Sequence, residues 1–228
     1  MVISHSLRYV YIGIPRTSSK SMIRWLCTHY EGKTVGSHHE MVVPEEARDY
    51  LIFTIVRNPY DRHTSGAFSI PWGGKRKYGR KYESLGGREA HESLREQVEL
   101  PKEHPEPLEE RIRGYTLEKD GTQLGGGDCP ESVMNQWYYC KAAGVTRVLL
   151  YERLPQCLKE LPFATDDVPE YPHALERGIR PPGTFFDHFD EDEETVVWAY
   201  ESETFEEFGY RRFDAGLPAS SPNSLIIG

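Results

Sequence analysis

The stretch YVYIGIPRTSSKSMIRW, Tyr9 to Trp25, decides how this chain is read. Alternating apolar residues run into Pro15, then into a cluster of small hydroxyl and cationic residues, then into a helical pattern. That order is strand, tight loop, helix. Such a loop aims successive backbone N–H groups, and the positive end of the following helix, at whatever lies above the carboxyl end of the strand. Arg16, Thr17, Ser18, Ser19, Lys20 and Ser21 add hydroxyl donors and cationic side chains at the same place. The chemistry suits an anion, best of all a phosphate. A polar turn in which Ser18 or Ser19 caps the helix is the simpler alternative.

Outward from this stretch, the alternation predicts a strand over Leu7 to Ile14. Met22, Ile23, Leu26 and Tyr30 predict a helix over Ser18 to Tyr30 with one apolar stripe. Pro44-Glu45-Glu46 reads as a helix first turn with proline at its tolerated position. LIFTIV, Leu51 to Val56, is an almost continuous apolar run, as in a strand buried on both faces of a parallel sheet. It ends in Arg57-Asn58-Pro59, and a helical pattern follows through Tyr60, Thr64, Ala67 and Phe68. Pro130 to Ala143 reads as a helix closed by Gly144, Arg147 to Tyr151 as a third strand, and Leu154 to Leu161 as helical. Asp190 and Glu193 form a capping-box-like start to a last helix through Phe208, and the tail after Phe213 reads as loose. Strands separated by helices imply a three-layer α/β domain: a mostly parallel sheet covered on both faces, with ligands at the carboxyl ends of its strands.

The 228 residues fit a single domain, 1–228, interrupted at about 71–128 by a glycine-rich, charged stretch that reads as an inserted lid or acceptor-binding region. A net charge of −9 disfavours nucleic acid as a partner, because a duplex binder presents a basic surface. The first residues lack an apolar core of signal-peptide length, and no run of roughly 18 apolar residues follows, so the expectation is a soluble, cytoplasmic protein without a membrane span. Cys27, Cys129, Cys140 and Cys157 contain no C-x-x-C pair, and no metal site is expected. Cys27 and Cys157 fall on helical patterns and read as reduced core cysteines. Oligomeric state is not legible.

The loop has the order P-R-T-S-S-K-S, which lacks the G-x-x-x-x-G-K-[ST] spacing of nucleoside triphosphatases. Arg57 leaves a buried strand where a ligand crevice belongs, and Ser65, two turns into the next helix, faces the same side. A guanidinium and a hydroxyl make a second phosphate site, unless Arg57 or Arg62 is held instead by Asp61. Two phosphate sites on neighbouring strands suit a bisphosphorylated nucleotide.

IPRTSSKS resembles the P-K-T-G-G-T-S loop, and FTIVRNPYDRHTS the F-x-x-V-R-N-P-Y-D-R-x-x-S block, of sulfotransferases that use 3′-phosphoadenosine 5′-phosphosulfate (PAPS). VLLYERL, Val148 to Leu154, and the Phe208-Gly209-Tyr210 triplet resemble later pieces of the same pattern. The resemblance implies a P-loop-nucleotide-hydrolase-like sulfotransferase fold, PAPS as co-substrate and 3′-phosphoadenosine 5′-phosphate (PAP) as product, without a metal. It puts Arg16, Thr17, Ser18, Ser19, Lys20 and Ser21 on the 5′-phosphosulfate, and Arg57 and Ser65 on the 3′-phosphate. Arg16 stands in place of the usual lysine and Lys20 in place of a threonine, so support of the leaving group is divided between Arg16 and Lys20. Ser18 and Ser19 replace two glycines, which requires a backbone there that does not need positive φ.

In related carbohydrate sulfotransferases a histidine or glutamate between the two motifs is the base. Here His38, His39 and Glu40 occupy that interval, with His39 first in order, His38 second, and Glu40 orienting or substituting. The acceptor is then a small molecule or glycan bearing a hydroxyl. Lys75, Arg76 and Lys77 with Trp72 form a basic, aromatic cluster suited to an anionic glycan. A phosphotransferase of related fold and a non-catalytic nucleotide-binding homologue are the competing readings.

Overall fold

The computed structural model describes residues 1–67, 135–165, 167–172, 194–195, 197–198, 201–212 and 224–226. Its strands are β1 (Val2–Ser4), β2 (Tyr9–Ile12), β3 (Lys33–Thr34), β4 (Leu51–Val56), β5 (Arg147–Leu150) and β6 (Ser224–Ile226). The α-helices among the described residues are α1 (Ser19–His29), α2 (Pro59–Ala67), α3 (Gln136–Ala143) and α4 (Ser202–Phe208). Short 3₁₀ turns span Glu45–Ala47, Tyr151–Arg153 and Gln156–Glu160. No helix among the described residues is long and apolar enough to cross a membrane.

The strands form one sheet in the order β3-β1-β2-β4-β5-β6. β2 pairs with β4, and β4 with β5, in parallel; β1 with β2, β1 with β3, and β5 with β6 pair antiparallel. The sheet is therefore mixed, with more antiparallel than parallel pairings, and the mostly parallel three-layer fold expected from the sequence is not the one found. The reason lies in strands too short to show a period. Val2–Ser4 lies ahead of the first expected strand and no element is expected there, yet it folds back on β2 through a turn at residues 5–8 in which Arg8 has φ 52°. Ser224–Ile226 lies in the tail read as loose, yet it pairs with β5. Three-residue strands carry too little alternation to be seen against turn residues.

Side chains of the central strands alternate between two buried clusters. Val10, Ile12, Ile52, Val56, Val148 and Leu150 join α3 and α4 residues such as Tyr139, Phe205 and Phe208. Tyr9, Tyr11, Phe53, Ile55 and Leu149 join Met22, Trp25 and Leu26 of α1. Because neighbours along a strand point to opposite faces, both faces of the sheet are covered. On α1 the polar stripe Lys20, Arg24, Cys27 and Thr28 faces solvent. Cys27 is thus exposed, not a core residue as its helical position suggests, whereas Cys157 is buried. The predicted helix over Leu154 to Leu161 is a 3₁₀ turn over Gln156–Glu160. α3 starts at Gln136, capped by the Asn135 side chain accepting from the Tyr138 N–H, and ends at Gly144 with φ 64°.

A buried polar hub joins the helices. Glu201, fully buried at the start of α4, accepts from Arg62 Nη1 at 2.7 Å, Thr204 Oγ1 at 2.7 Å and the Gln136 N–H at 3.3 Å. His63 Nε2 lies 3.2 Å from the same carboxylate. Burial pushes the Glu201 pKa up, but the His63 and Thr204 hydrogen bonds and the Arg62 charge outweigh it, and the net direction is down. Removing one partner of such a pair strands the other charge without water, at a cost of about 3–5 kcal/mol. Glu201→Ala is accordingly expected to lower unfolding free energy by about that amount in urea titrations, and far more than Glu203→Ala, whose partner Lys141 is solvent-exposed.

Candidate functional site

The loop after β2 is built by two left-handed residues. Arg16 and Ser18 both have φ 69°, separated by Thr17, whose buried hydroxyl donates to the Ile14 carbonyl at 2.9 Å. The sequence reading required Ser18 to avoid positive φ; instead Ser18 adopts it, the conformation that the glycine of the resembled motif would take without strain. Ser18 is the N-cap position of α1 but makes no side-chain cap bond. Its carbonyl accepts the first helical bond from Met22 at 3.0 Å. N–H groups in the first turn of a helix have no partner within it and, with the helix dipole, favour an anion. Ser19 and Ser21 are buried there, while Lys20 is exposed on the same turn.

Arg16, Arg57 and Ser65 come together. Arg16 Nη2 donates to Ser65 Oγ at 2.9 Å, joining the loop to α2. Arg57, at the end of β4, donates from Nη1 to the Arg16 carbonyl at 3.0 Å and from Nε to Asp61 Oδ2. The guanidinium lies over the Tyr151 ring, 4.1 Å from its centroid. The Asp61 alternative raised by the sequence is therefore real for Arg57, and it fixes the fork rather than consuming it, since Nη2 remains as donor. Arg62 is different: its Nε donates to the Pro15 carbonyl and its Nη1 to Glu201, so it braces the loop from below.

The Arg57 backbone is clipped by a side chain. Gln136 Oε1 accepts from the Arg57 N–H at 2.8 Å, and Gln136 Nε2 donates to the Arg57 carbonyl at 2.8 Å. Next along the chain, Glu152 accepts from the Asn58 N–H and, at 2.8 Å, from Tyr210 Oη. Burial raises the Glu152 pKa, against these hydrogen bonds and the Arg57 charge.

His39 reaches the base of the loop: its Nδ1 lies 2.6 Å from the Gly13 carbonyl. A carbonyl only accepts, so Nδ1 carries the proton and Nε2 of the neutral ring is left as the basic atom. Burial lowers the His39 pKa to about 4, assisted by the positive charges of His38, the amino terminus and Arg62, and opposed by the Gly13 bond. Gly13 permits the approach, because a Cβ there would sit 2.5 Å from the His38 carbonyl oxygen. His38 itself is exposed, its ring 6.4 Å from that of His39. Glu40 is buried and turned onto its own backbone, accepting from the Met41 and Val42 N–H groups at 3.2 Å each. Trp72, Lys75, Arg76 and Lys77 lie outside the described residues. Among the described residues no group of three or more His, Cys, Asp or Glu side chains could hold a metal ion.

Sequence reasoning missed Gln136, Tyr151 and Tyr171, whose hydroxyl reaches Ser18. All three lie far along the chain from their partners, and no local pattern announces them. No protein-family model, no curated protein and no solved structure matches this chain.

The unfolded chain binds a proton at His39 near pH 6.5 and the folded chain only near pH 4, so stability is full above pH 6.5 and falls as pH drops through that window. His63, also lowered by burial, adds in the same direction. Chemical denaturation between pH 7 and 4 is expected to show a slope that His39→Asn reduces by at most about 1.4 kcal/mol per pH unit, the limit for one proton.

Proposed function

We propose that this protein is a sulfotransferase moving the sulfuryl group of PAPS to a hydroxyl of an acceptor, a carbohydrate being the acceptor class the resemblance favours. The observation that carries the proposal is the meeting of Arg16, Arg57 and Ser65 beside a left-handed loop at the start of α1, with the basic edge of His39 brought to the same strand end through Gly13. Two guanidinium groups, a hydroxyl and helix N-terminal N–H groups form a donor-rich set suited to the two phosphates of a 3′,5′-bisphosphate. Asp61 is the carboxylate bonded to that set, and it orients Arg57 while leaving Nη2 to an anion.

The co-substrate supplies an activated sulfuryl group with a good leaving phosphate. In this chain Arg57 Nη2 and Ser65 Oγ hold the 3′-phosphate. The loop amides, Arg16 and Lys20 face the 5′ side, where charge grows as the sulfur–oxygen bond to phosphate breaks. The acceptor oxygen forms the new bond to sulfur, and its proton passes to His39 Nε2. A base with a pKa near 4 is already unprotonated at neutral pH, so the acid limb of turnover falls well below the 6.5 of an ordinary histidine.

Calorimetry with PAP and ATP, and turnover of labelled PAPS against a panel of hydroxyl acceptors, test the reading. PAP is expected to bind in preference to ATP. Arg57→Ala is expected to weaken PAP by at least about tenfold, the loss of a charge-assisted bond. His39→Ala should keep PAP affinity and lose turnover. Wild-type protein that ignores PAP would end the proposal, and normal turnover by the His39 variant would remove the base assignment alone.

A further inference from the structure

Tyr171 belongs to none of the motifs above, yet it touches the anion loop at one of its two left-handed residues. Its hydroxyl donates to Ser18 Oγ at 3.1 Å and lies 3.4 Å from the Ser18 carbonyl oxygen. Its ring is buried in the cluster that holds Tyr11 and Trp25, 6.1 Å from the Trp25 centroid. The segment carrying it is tied to the body of α1 separately, since Trp25 Nε1 donates to the Pro169 carbonyl at 3.1 Å. Two anchors, at Ser18 and Trp25 and so about two helical turns apart, thus hold residues 169–171 along the first half of α1. A third contact links the Tyr171 hydroxyl to Ser21.

Ser18 is where the chain needs such help. A non-glycine residue at φ 69° is disfavoured and persists only when its surroundings over-determine it. Its hydroxyl does not cap α1, so within the loop nothing local rewards the left-handed state. The phenol supplies the reward from outside: its one proton goes to the side chain, with the carbonyl within reach, of the residue whose conformation sets the direction of the N–H groups at Ser19 to Ser21. Because the ring is held by packing, the hydroxyl is positioned before any ligand arrives.

We propose that Tyr171 is a positioning residue for anion binding, holding Ser18 in the left-handed conformation and so presenting the first-turn amides of α1 to the 5′ end of the ligand. It replaces, by a contact 153 residues away, the freedom that a glycine would give the loop. The proposal names a residue of the site discussed above and rests on that reading for the identity of the anion, but not for the ordering of the loop.

The test is a double-mutant cycle of Tyr171→Phe with Ser18→Gly. Phenylalanine keeps the buried ring and removes only the hydroxyl, while glycine takes positive φ without help. Two measurements are made on the full chain: amide hydrogen exchange at residues 17–21 without ligand, and PAP affinity by calorimetry. Tyr171→Phe alone is expected to speed exchange at these amides and weaken PAP about fivefold, the worth of one hydrogen bond. Added to Ser18→Gly, it is expected to change neither. Tyr171→Phe with wild-type exchange overturns the proposal, and so does an equal effect in both backgrounds, which would mean that the phenol acts through something other than Ser18. If wild-type protein fails to bind PAP, the nucleotide reading fails, while exchange in the ligand-free protein still decides whether Tyr171 orders the loop.

Discussion

The Glu201 carboxylate is the point at which three helices and the loop after β2 meet. It takes Arg62 and His63 from α2, the first N–H of α3 and the Thr204 hydroxyl of α4. Arg62, held this way, still has Nε to give to the Pro15 carbonyl. In a dry interior an uncompensated charge is costly, so these partners are coupled: none can leave without exposing the others to the full cost of burial. The geometry of the loop at residues 15–21 is thereby tied to contacts made some 185 residues later in the chain. The residue chain Glu201, Gln136, Arg57 extends the same constraint to the end of β4.

On this frame the site separates rigid from adjustable parts. Arg57 is restrained on three sides, by Asp61, by the Arg16 carbonyl and by the Tyr151 ring. A guanidinium restrained in this way loses little rotamer entropy when it binds an anion. Lys20, exposed on the first turn of α1, has no such restraint and keeps its full side-chain freedom. Arg16, unlike Lys20, is tied to α2 through its bond to Ser65.

Long-period features were legible and short or distant ones were not. LIFTIV gave itself away because an almost continuous apolar run, broken only by Thr54, suits a strand buried on both faces, and β4 spans those same residues. α1 differs from its predicted limits by one residue at each end, as its apolar stripe is continuous from Met22 to Leu26. β1, β3 and β6 escaped because two or three residues cannot display a period, and with them the antiparallel half of the sheet was missed. At the site, Arg16, Arg57 and Ser65 were readable as chemistry at strand and helix ends. Gln136 and Tyr171 were not, since a glutamine opening a helix and a tyrosine in a polar segment look like many others. Ser18 was misread for a related reason: the rule against positive φ is local, while the contact that offsets it comes from elsewhere in the chain.

The amide clip of Gln136 on Arg57 separates the shape of the strand end from the identity of its side chain. Both bonds go to the Arg57 backbone, N–H and carbonyl, and neither touches the guanidinium. The end of β4 would keep its course with another residue in that place, as a socket keeps its form when the fitting is changed. Position 57 is thus an exchangeable element on a fixed mount, the place at which evolution or a protein engineer can retune the charge and reach of the site without rebuilding the sheet beneath it.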